Sequence, residues 1–461
     1  MQDLYHQQYL STFAEAGINR CRCGLEHRML TRRVLFGRGA IDQLPALVRE
    51  RLGARARLWV LSDGNTEQAA GAAVKRVLGE FPLADCLLPA SPRPRTTYPL
   101  AERLAEELRQ SRADLILAVG GGTVSDLGKK VSTDTGIPNW CVATAASVDA
   151  YGSGTSNMKL KGFDRTVPVT PSEVVVCDLE VLGAAPVWLF LSGLGDLLAK
   201  FLGYLDWKLA AWVTGEYFCP VAAEYSLQSA RRALQAARSL QQDREEAVRT
   251  LVDALLTSSF AMQAIKGSRP AATAEHTVGH LWELSGRIRD PRYDLHGICV
   301  GAASRLVLAA YLELYKALPR LEVDIPARLE ALRREPPWQE TLEPSALYLK
   351  EKMLAETPPG YPDPAEVRGH LEAFARQRQP LQALAAQLLA ELQPGLQALA
   401  EAGFPFSLKE YGLDEDAAFL PFPYIRYLRR RYSGFNLMHE LGLEGEILRR
   451  LKASLAALWG A

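Results

Sequence analysis

Leu115-Ile-Leu-Ala-Val-Gly-Gly-Gly-Thr-Val-Ser-Asp126 joins a short apolar run to three glycines and then to the start of a helical pattern. A strand over 115–119 followed directly by a helix makes the glycines a connection at a strand's carboxyl end. Such glycines let the backbone come close to a pyrophosphate, and the helix start presents N–H groups to it. Three glycines also make an ordinary tight turn, so the motif alone leaves both readings open. The pattern is not Gly-x-Gly-x-x-Gly, which argues against a standard Rossmann half.

Outward from this stretch the chain repeats the same alternation. The pattern changes at Val34-Leu-Phe-Gly-Arg-Gly, and Leu58-Trp-Val-Leu-Ser-Asp63 reads as a buried strand ending in an acid. Asp85-Cys-Leu-Leu-Pro suggests another strand, and Leu100 to Arg112 a helix. Trp140-Cys-Val-Ala-Thr144 and Glu173-Val-Val-Val-Cys-Asp178 add two more strands. Strands alternating with helices at this spacing imply a parallel α/β sheet. Asp63 is placed to accept from a ribose hydroxyl, or simply to cap the next helix. The loop Ala145-Ala-Ser147-Val-Asp149-Ala-Tyr-Gly-Ser153 is where such a sheet gathers ligand contacts, or an ordinary Asx- and Ser-rich turn. Lys159, Lys161 and Arg165 suit a hairpin over that region, or solvated surface.

Beyond about residue 185 no strand pattern recurs. Amphipathic helical patterns run over 222–264, 271–285, 297–316, 364–393 and 441–458, with Pro-rich breaks at 336–337, 358–363 and 405. The expected architecture is an α/β domain over 31–185 and an all-α domain over 186–461. A polar, helical extension over 1–30 precedes them.

At 461 residues the chain is long enough for two cores. Its 53 basic and 53 acidic side chains balance, so no global field draws it to nucleic acid or an anionic membrane. The seven cysteines are odd in number and scattered, and the gap in Cys21-Arg-Cys23 does not fit the usual zinc-finger spacings. Free thiols in a reducing compartment are the favoured reading. With no signal-peptide pattern and no apolar run of membrane length, the expectation is a soluble, cytoplasmic protein.

Two regions of the helical half carry chemistry. Gly193-Leu-Gly-Asp-Leu-Leu-Ala-Lys sets Asp196 among small and apolar residues, where a carboxylate is costly unless it is paired, hydrogen-bonded or bound to a metal. Ala274-Glu-His-Thr-Val-Gly-His280 puts His276 and His280 on one helical face, and Leu295-His296-Gly follows. Imidazoles with a carboxylate suit zinc and related divalent ions. Any one of these histidines alone is more often a core or capping residue.

Taken together, these stretches resemble the sn-glycerol-1-phosphate dehydrogenase family. It lies within the superfamily of iron-containing alcohol dehydrogenases, glycerol dehydrogenases and dehydroquinate synthases. Ser62-Asp-Gly-Asn-Thr, Val119-Gly-Gly-Gly-Thr-Val-Ser-Asp, Thr144-Ala-Ala-Ser-Val-Asp and Gly193-Leu-Gly-Asp-Leu-Leu-Ala-Lys carry the likeness. Asp206-Trp-Lys, Ser268-Arg-Pro, Ala274-Glu-His-Thr-Val-Gly-His, Leu295-His-Gly and Arg430-Arg-Tyr-Ser complete it, in family order.

The resemblance implies a dehydroquinate synthase-like fold and one divalent ion (zinc, nickel or iron) on Asp196, His276 and His296. It implies NAD(H) or NADP(H) contacts at Asp63, Gly120, Gly121, Gly122, Thr123, Val124, Thr144, Ser147 and Ser153. Asp149 and His280 are the implied substrate-contacting, catalytic residues. The implied substrate is a small phosphorylated ketone or polyol, and the implied assembly a homodimer or larger homo-oligomer. The superfamily's synthases usually carry Glu at the position of Asp196, which leans towards a dehydrogenase. An NAD-dependent sugar-phosphate cyclase and a non-catalytic homologue are the competing readings. The sequence departs from the family in a longer His276–His296 separation, in Ile298 after His296-Gly297, and in Val148-Asp-Ala for the more usual Asp-Gly. These departures bear on the substrate more than on the fold.

Overall fold

Strand β4 (Leu115–Gly120) shows why the first half folds as it does. All six of its residues are buried, and their side chains alternate between two cores. Leu115, Leu117 and Val119 join one apolar cluster, while Ile116 and Ala118 join the other. Burial on both faces is what makes strands of a parallel sheet read as continuous apolar runs.

The computed structural model describes residues 21–160, 163–357, 361 and 363–459. The chain divides into two compact units, one of residues 21–197 and 219–270, the other of 198–218 and 271–459.

The first unit is built on a parallel sheet in the order β1-β8-β5-β4-β2-β3. Its strands are β1 (Arg33–Gly37), β2 (Leu58–Asp63), β3 (Leu83–Leu88), β4, β5 (Asn139–Ala143) and β8 (Val174–Asp178). Helix α1 (Leu44–Leu52) supplies Leu44, Leu47 and Val48 to one face. Helices α2 (Tyr98–Ser111) and α3 (Gly122–Thr135) supply Leu104, Leu108, Leu127 and Val131 to the other. The expected hairpin is present as β6 (Thr155–Leu160) and β7 (Phe163–Pro168), paired antiparallel. Lys159 pairs with Asp164 in its register and Met158 with Arg165, while Lys161 lies outside the described residues.

Helix α4 (Val187–Leu198) follows. After α5 (Lys200–Thr214), the single amphipathic pattern read over 222–264 is two helices, α6 (Pro220–Ser239) and α7 (Arg244–Ile265). Asp243 starts the second by accepting from Glu246 N, which explains the break. Both belong to the sheet-bearing unit. The expected helix over 1–30 is not present where the chain is described: residues 21–30 form a turn and a segment without regular secondary structure, and 1–20 lie outside the described residues.

The second unit is helical, with no strand among its described residues. Its main elements are α5 (Lys200–Thr214), α8 (Ala274–Leu284), α9 (His296–Ala317), α10 (Pro364–Glu401) and α11 (Glu444–Trp459). The stretches Val187–Thr214 and His296–Arg320 are long and apolar enough to cross a membrane, but 78% of the apolar 18-residue window in each is buried inside the protein. Their apolarity is used in cores.

Candidate functional site

In the first unit the glycine connection is shaped by close packing. A side chain at Gly120 would run into Val124, and one at Gly122 would meet Val148 Cγ2 at 2.8 Å. Beside Gly121 there is open space, and it starts α3 with no side-chain cap. The first N–H groups of α3 are therefore available to an acceptor from outside the helix. Val124 is core, so its side chain serves packing, and Thr123 is half-buried. Asp63 caps the turn after β2, its Oδ1 accepting from Asn65 N and Thr66 N at 2.9 Å.

The loop after β5 is fixed from several sides. Thr144 N donates to Gly120 O at 3.2 Å, and Tyr151 OH donates to Ala145 O at 2.6 Å. Ser192 Oγ donates to Ser147 O. Ser153 is buried, and its hydroxyl accepts from the buried Lys129 Nζ at 3.0 Å. Lys129 also donates to Ala150 O and Thr155 O and pairs with Asp126 at 2.9 Å. Four oxygens around one ammonium offset its desolvation. The motif Thr-Val-Ser-Asp-Leu-Gly-Lys thus uses its last residue to clamp the loop.

Asp149 and Asp196 meet within this unit. Asp149 N donates to Asp196 Oδ2 at 3.1 Å, and Ser258 Oγ on α7 donates to Asp149 Oδ2 at 2.6 Å. Ser259 Oγ donates to Asp149 O at 2.7 Å. The glycine at 193 permits this approach: a Cβ there would overlap the carbonyl oxygen of Ala146. Asp196 itself is 1% exposed.

In the second unit three histidines converge from α8 and the start of α9. The rings of His276 and His296 are 5.2 Å apart, those of His280 and His296 4.8 Å, and those of His276 and His280 6.3 Å. Glu275 Oε1 lies 2.8 Å from His276 Nδ1, and Glu283 Oε1 lies 3.1 Å from His296 Nδ1. A carboxylate at Nδ1 assigns the proton there and leaves Nε2 as the nitrogen that can ligate. Burial opposes charge on Glu283, but its contacts with His280 and His296 outweigh that and hold it well below the usual carboxylate range. It is an anion beneath the cluster.

The entry to α8 is anchored by Asp206 on α5, which is fully buried. It accepts from Thr273 Oγ1, from Tyr311 OH at 2.8 Å and from Gly434 N at 2.9 Å. Arg431 donates to Ala272 O at 2.8 Å. The motifs Asp206-Trp-Lys and Arg430-Arg-Tyr-Ser therefore brace the histidine helix. Sequence reasoning quoted them without assigning that role, and it did not single out Glu283, although it stands three residues after His280.

The first unit brings Asp149 to Asp196 and packs the glycine connection against the loop of Thr144 and Ser147. The second brings His276, His280 and His296 together. Imidazoles whose Nδ1 is held by a carboxylate are donors suited to a divalent ion.

Residues 35–186 match the family model described as iron-containing alcohol dehydrogenase. A glycerol-1-phosphate dehydrogenase [NAD(P)+] of Pyrococcus furiosus is 32% identical over 282 residues, 61% of this chain and 78% of that protein. The enzyme of that name from Bacillus licheniformis is 28% identical over 312 residues, 67% of this chain and 77% of the other. The crystal structure of a probable glycerol dehydrogenase from Sinorhizobium meliloti superposes with a TM-score of 0.59 at 15% identity, covering 92% of this chain and 97% of that one. Glycerol dehydrogenase from Schizosaccharomyces pombe gives a TM-score of 0.55 at 15% identity, covering 92% and 91%. The fold is thus that of the iron-containing alcohol dehydrogenases and dehydroquinate synthases, and the chain belongs to the glycerol-1-phosphate dehydrogenase family of NAD(P)-dependent oxidoreductases.

Proposed function

We propose that the chain catalyses the reversible, metal-dependent, NAD(P)H-linked reduction of glycerone phosphate, or a similar phosphorylated ketone, to sn-glycerol 1-phosphate. The observation that carries this is the histidine group of α8 and α9, with carboxylates fixing Nδ1 of His276 and His296. In the proposal Asp196, His276 and His296 hold one divalent ion. When bound, the ion supplies Lewis-acid polarisation of the ketone oxygen and the nicotinamide supplies the hydride.

The chain's own residues do the rest. The N–H groups at the start of α3, from Gly121 to Val124, take the cofactor's pyrophosphate, with Thr144 and Ser147 behind them. Asp63, whose Oδ1 serves the cap, disfavours a 2′-phosphate by repulsion and leans the preference towards NADH. Ser153 supports the loop through Lys129. Asp149, held by Ser258, accepts from a substrate hydroxyl. His280 orients a second hydroxyl or moves a proton to the nascent alcohol, with Glu283 behind it. Excluding water from such a site strengthens each of these contacts. The homo-oligomer implied by the family is part of the same reading.

The test is NADH and NADPH oxidation against glycerone phosphate and unphosphorylated ketones, after chelation and after adding back zinc, nickel or iron. The proposal expects stoichiometric cofactor oxidation that needs both metal and the phosphate. Turnover of a sugar phosphate with no net loss of NADH, or full activity in metal-free protein, would overturn it.

A further inference from the structure

The first unit holds a second cluster of metal-ligating side chains, built from residues that the proposed dehydrogenase reaction does not use. Cys21, Cys23, His27 and Cys219 place one ligand atom each within 4.8 Å of all the others. Cys21 Sγ lies 3.8 Å from Cys219 Sγ, and His27 Nε2 lies 3.2 Å from both Cys23 Sγ and Cys219 Sγ. We propose that these four residues form a closed, structural zinc site of the Cys3His type.

The distances fit the ion. Thiolates about 2.3 Å from a tetrahedral zinc stand about 3.8 Å apart, the sulfur separation found here. That separation is far from a disulfide, whose sulfurs are about 2.05 Å apart. The imidazole is preset as a ligand. His27 Nδ1 sits 2.8 Å from the backbone oxygen of Ala264, so Nδ1 carries the proton and Nε2 faces the sulfurs. Cys219 is the N-cap of α6, where Ala222 N donates to its sulfur at 3.4 Å. Burial is the larger effect and pushes this thiol up, while the Ala222 N–H favours the thiolate that a bound cation would need. The one-residue gap of Cys21-Arg-Cys23 works because Gly24 closes a turn, donating from its N–H to Cys21 O at 2.8 Å with φ +83°. Only glycine takes that backbone without strain. The histidine and Cys21 and Cys219 are buried, and Cys23 is half-buried. Four protein donors leave no position for substrate, which is the mark of a structural site.

The site would pin residues 21–31 to α6 and α7. Gln263, next to Ala264, accepts from Leu30 N and Thr31 N and donates to Thr31 Oγ1 and Gly152 O. Binding takes up one zinc ion, and the three thiols release three protons to solvent, leaving a ZnS3N centre of net charge −1.

The decisive measurement is cobalt(II) substitution of the full chain after chelation under reductant. One equivalent per chain with thiolate-to-cobalt charge transfer and strong tetrahedral d–d absorption is expected. Zinc should displace it and should protect three cysteines from alkylation. The band should persist in His276→Ala, because the proposed catalytic ligands include no sulfur, so failure of one site is read separately from the other. Cys219→Ser should lose the band. Cys23→Ser, at a half-buried position, should keep the fold and bind cobalt at least tenfold more weakly. A wild-type chain that shows no sulfur-to-cobalt band, or thiols alkylated equally with and without zinc, would overturn the proposal.

Discussion

The thiol cluster of the sheet-bearing unit and the histidine cluster of the helical unit solve one problem in opposite ways. Each fixes imidazole Nδ1 with an acceptor and aims Nε2 at other donors. The thiol cluster takes its acceptor from a backbone carbonyl, Ala264 O, and surrounds the centre with three sulfurs. The histidine cluster takes carboxylates, Glu275 and Glu283, which make imidazole more basic and can move with protonation. A closed soft-donor set holds structure together, whereas an open nitrogen and oxygen set leaves a place for a reacting oxygen. The difference teaches that the acceptor behind a histidine, as much as the histidine, tells which job it has.

The comparison breaks most visibly at His276. His276→Ala should cut turnover by at least about 10³-fold, a loss of about 4 kcal/mol of charge stabilisation, and should leave the sulfur-bound metal in place. Steady-state NADH oxidation with metal analysis of the variant checks both halves. Cys219→Ser reverses the pattern. It should lower thermal stability by several degrees, at about 2–4 °C per kcal/mol for a unit of this size, with kcat reduced far less than in His276→Ala. Calorimetry beside kinetics reads it. Glu283→Gln keeps the shape but removes the anion behind His296, and should weaken metal at the histidine cluster about 10–100-fold. A metal titration of the chelated protein measures that shift. Ser258→Ala sharpens the link along α7. It removes one hydrogen bond to Asp149 and should cost about 1.5–3 kcal/mol or less, seen mainly as a higher KM for the phosphorylated ketone.

Much of this was legible in the sequence because the patterns are local. β2, β4, β5 and β8 fall within a residue or two of the stretches read as strands, since parallel strands buried on both faces are continuous apolar runs. The helices at 274–284 and 296–317 were legible from their amphipathic period, read over 271–285 and 297–316. What was not legible is long-range pairing. Cys21 and Cys219 are 198 residues apart, and no spacing rule joins them. The reading of Cys21-Arg-Cys23 as unsuited to a zinc finger concerns local spacing alone, and Cys219, at the start of α6, lies beyond the reach of any local motif. Within the extension expected to be helical over 1–30, the described residues 21–30 are not helical, because contacts with Gln263 and Ala264 override weak helical propensity. Burial pushes the thiols of Cys86, Cys141 and Cys219 alike up to about 12, so their titration does not tell the cluster from the isolated thiols and only the geometry does. Asp63 shows a different limit, because one aspartate at a strand end serves a cap and a ribose equally well until its hydrogen bonds are seen.

The clamp around Lys129 has a practical consequence. Its amine has 0% exposure and four oxygen partners, so an acylating reagent that labels surface lysines has no path to it in the folded chain. Neighbouring Lys130, with 15% of its side chain exposed, is an internal reference on the same helix. The ratio of label at the two adjacent positions therefore makes a built-in clock for opening of the sheet-bearing unit. A peptide map by mass spectrometry can read that clock without any engineered probe.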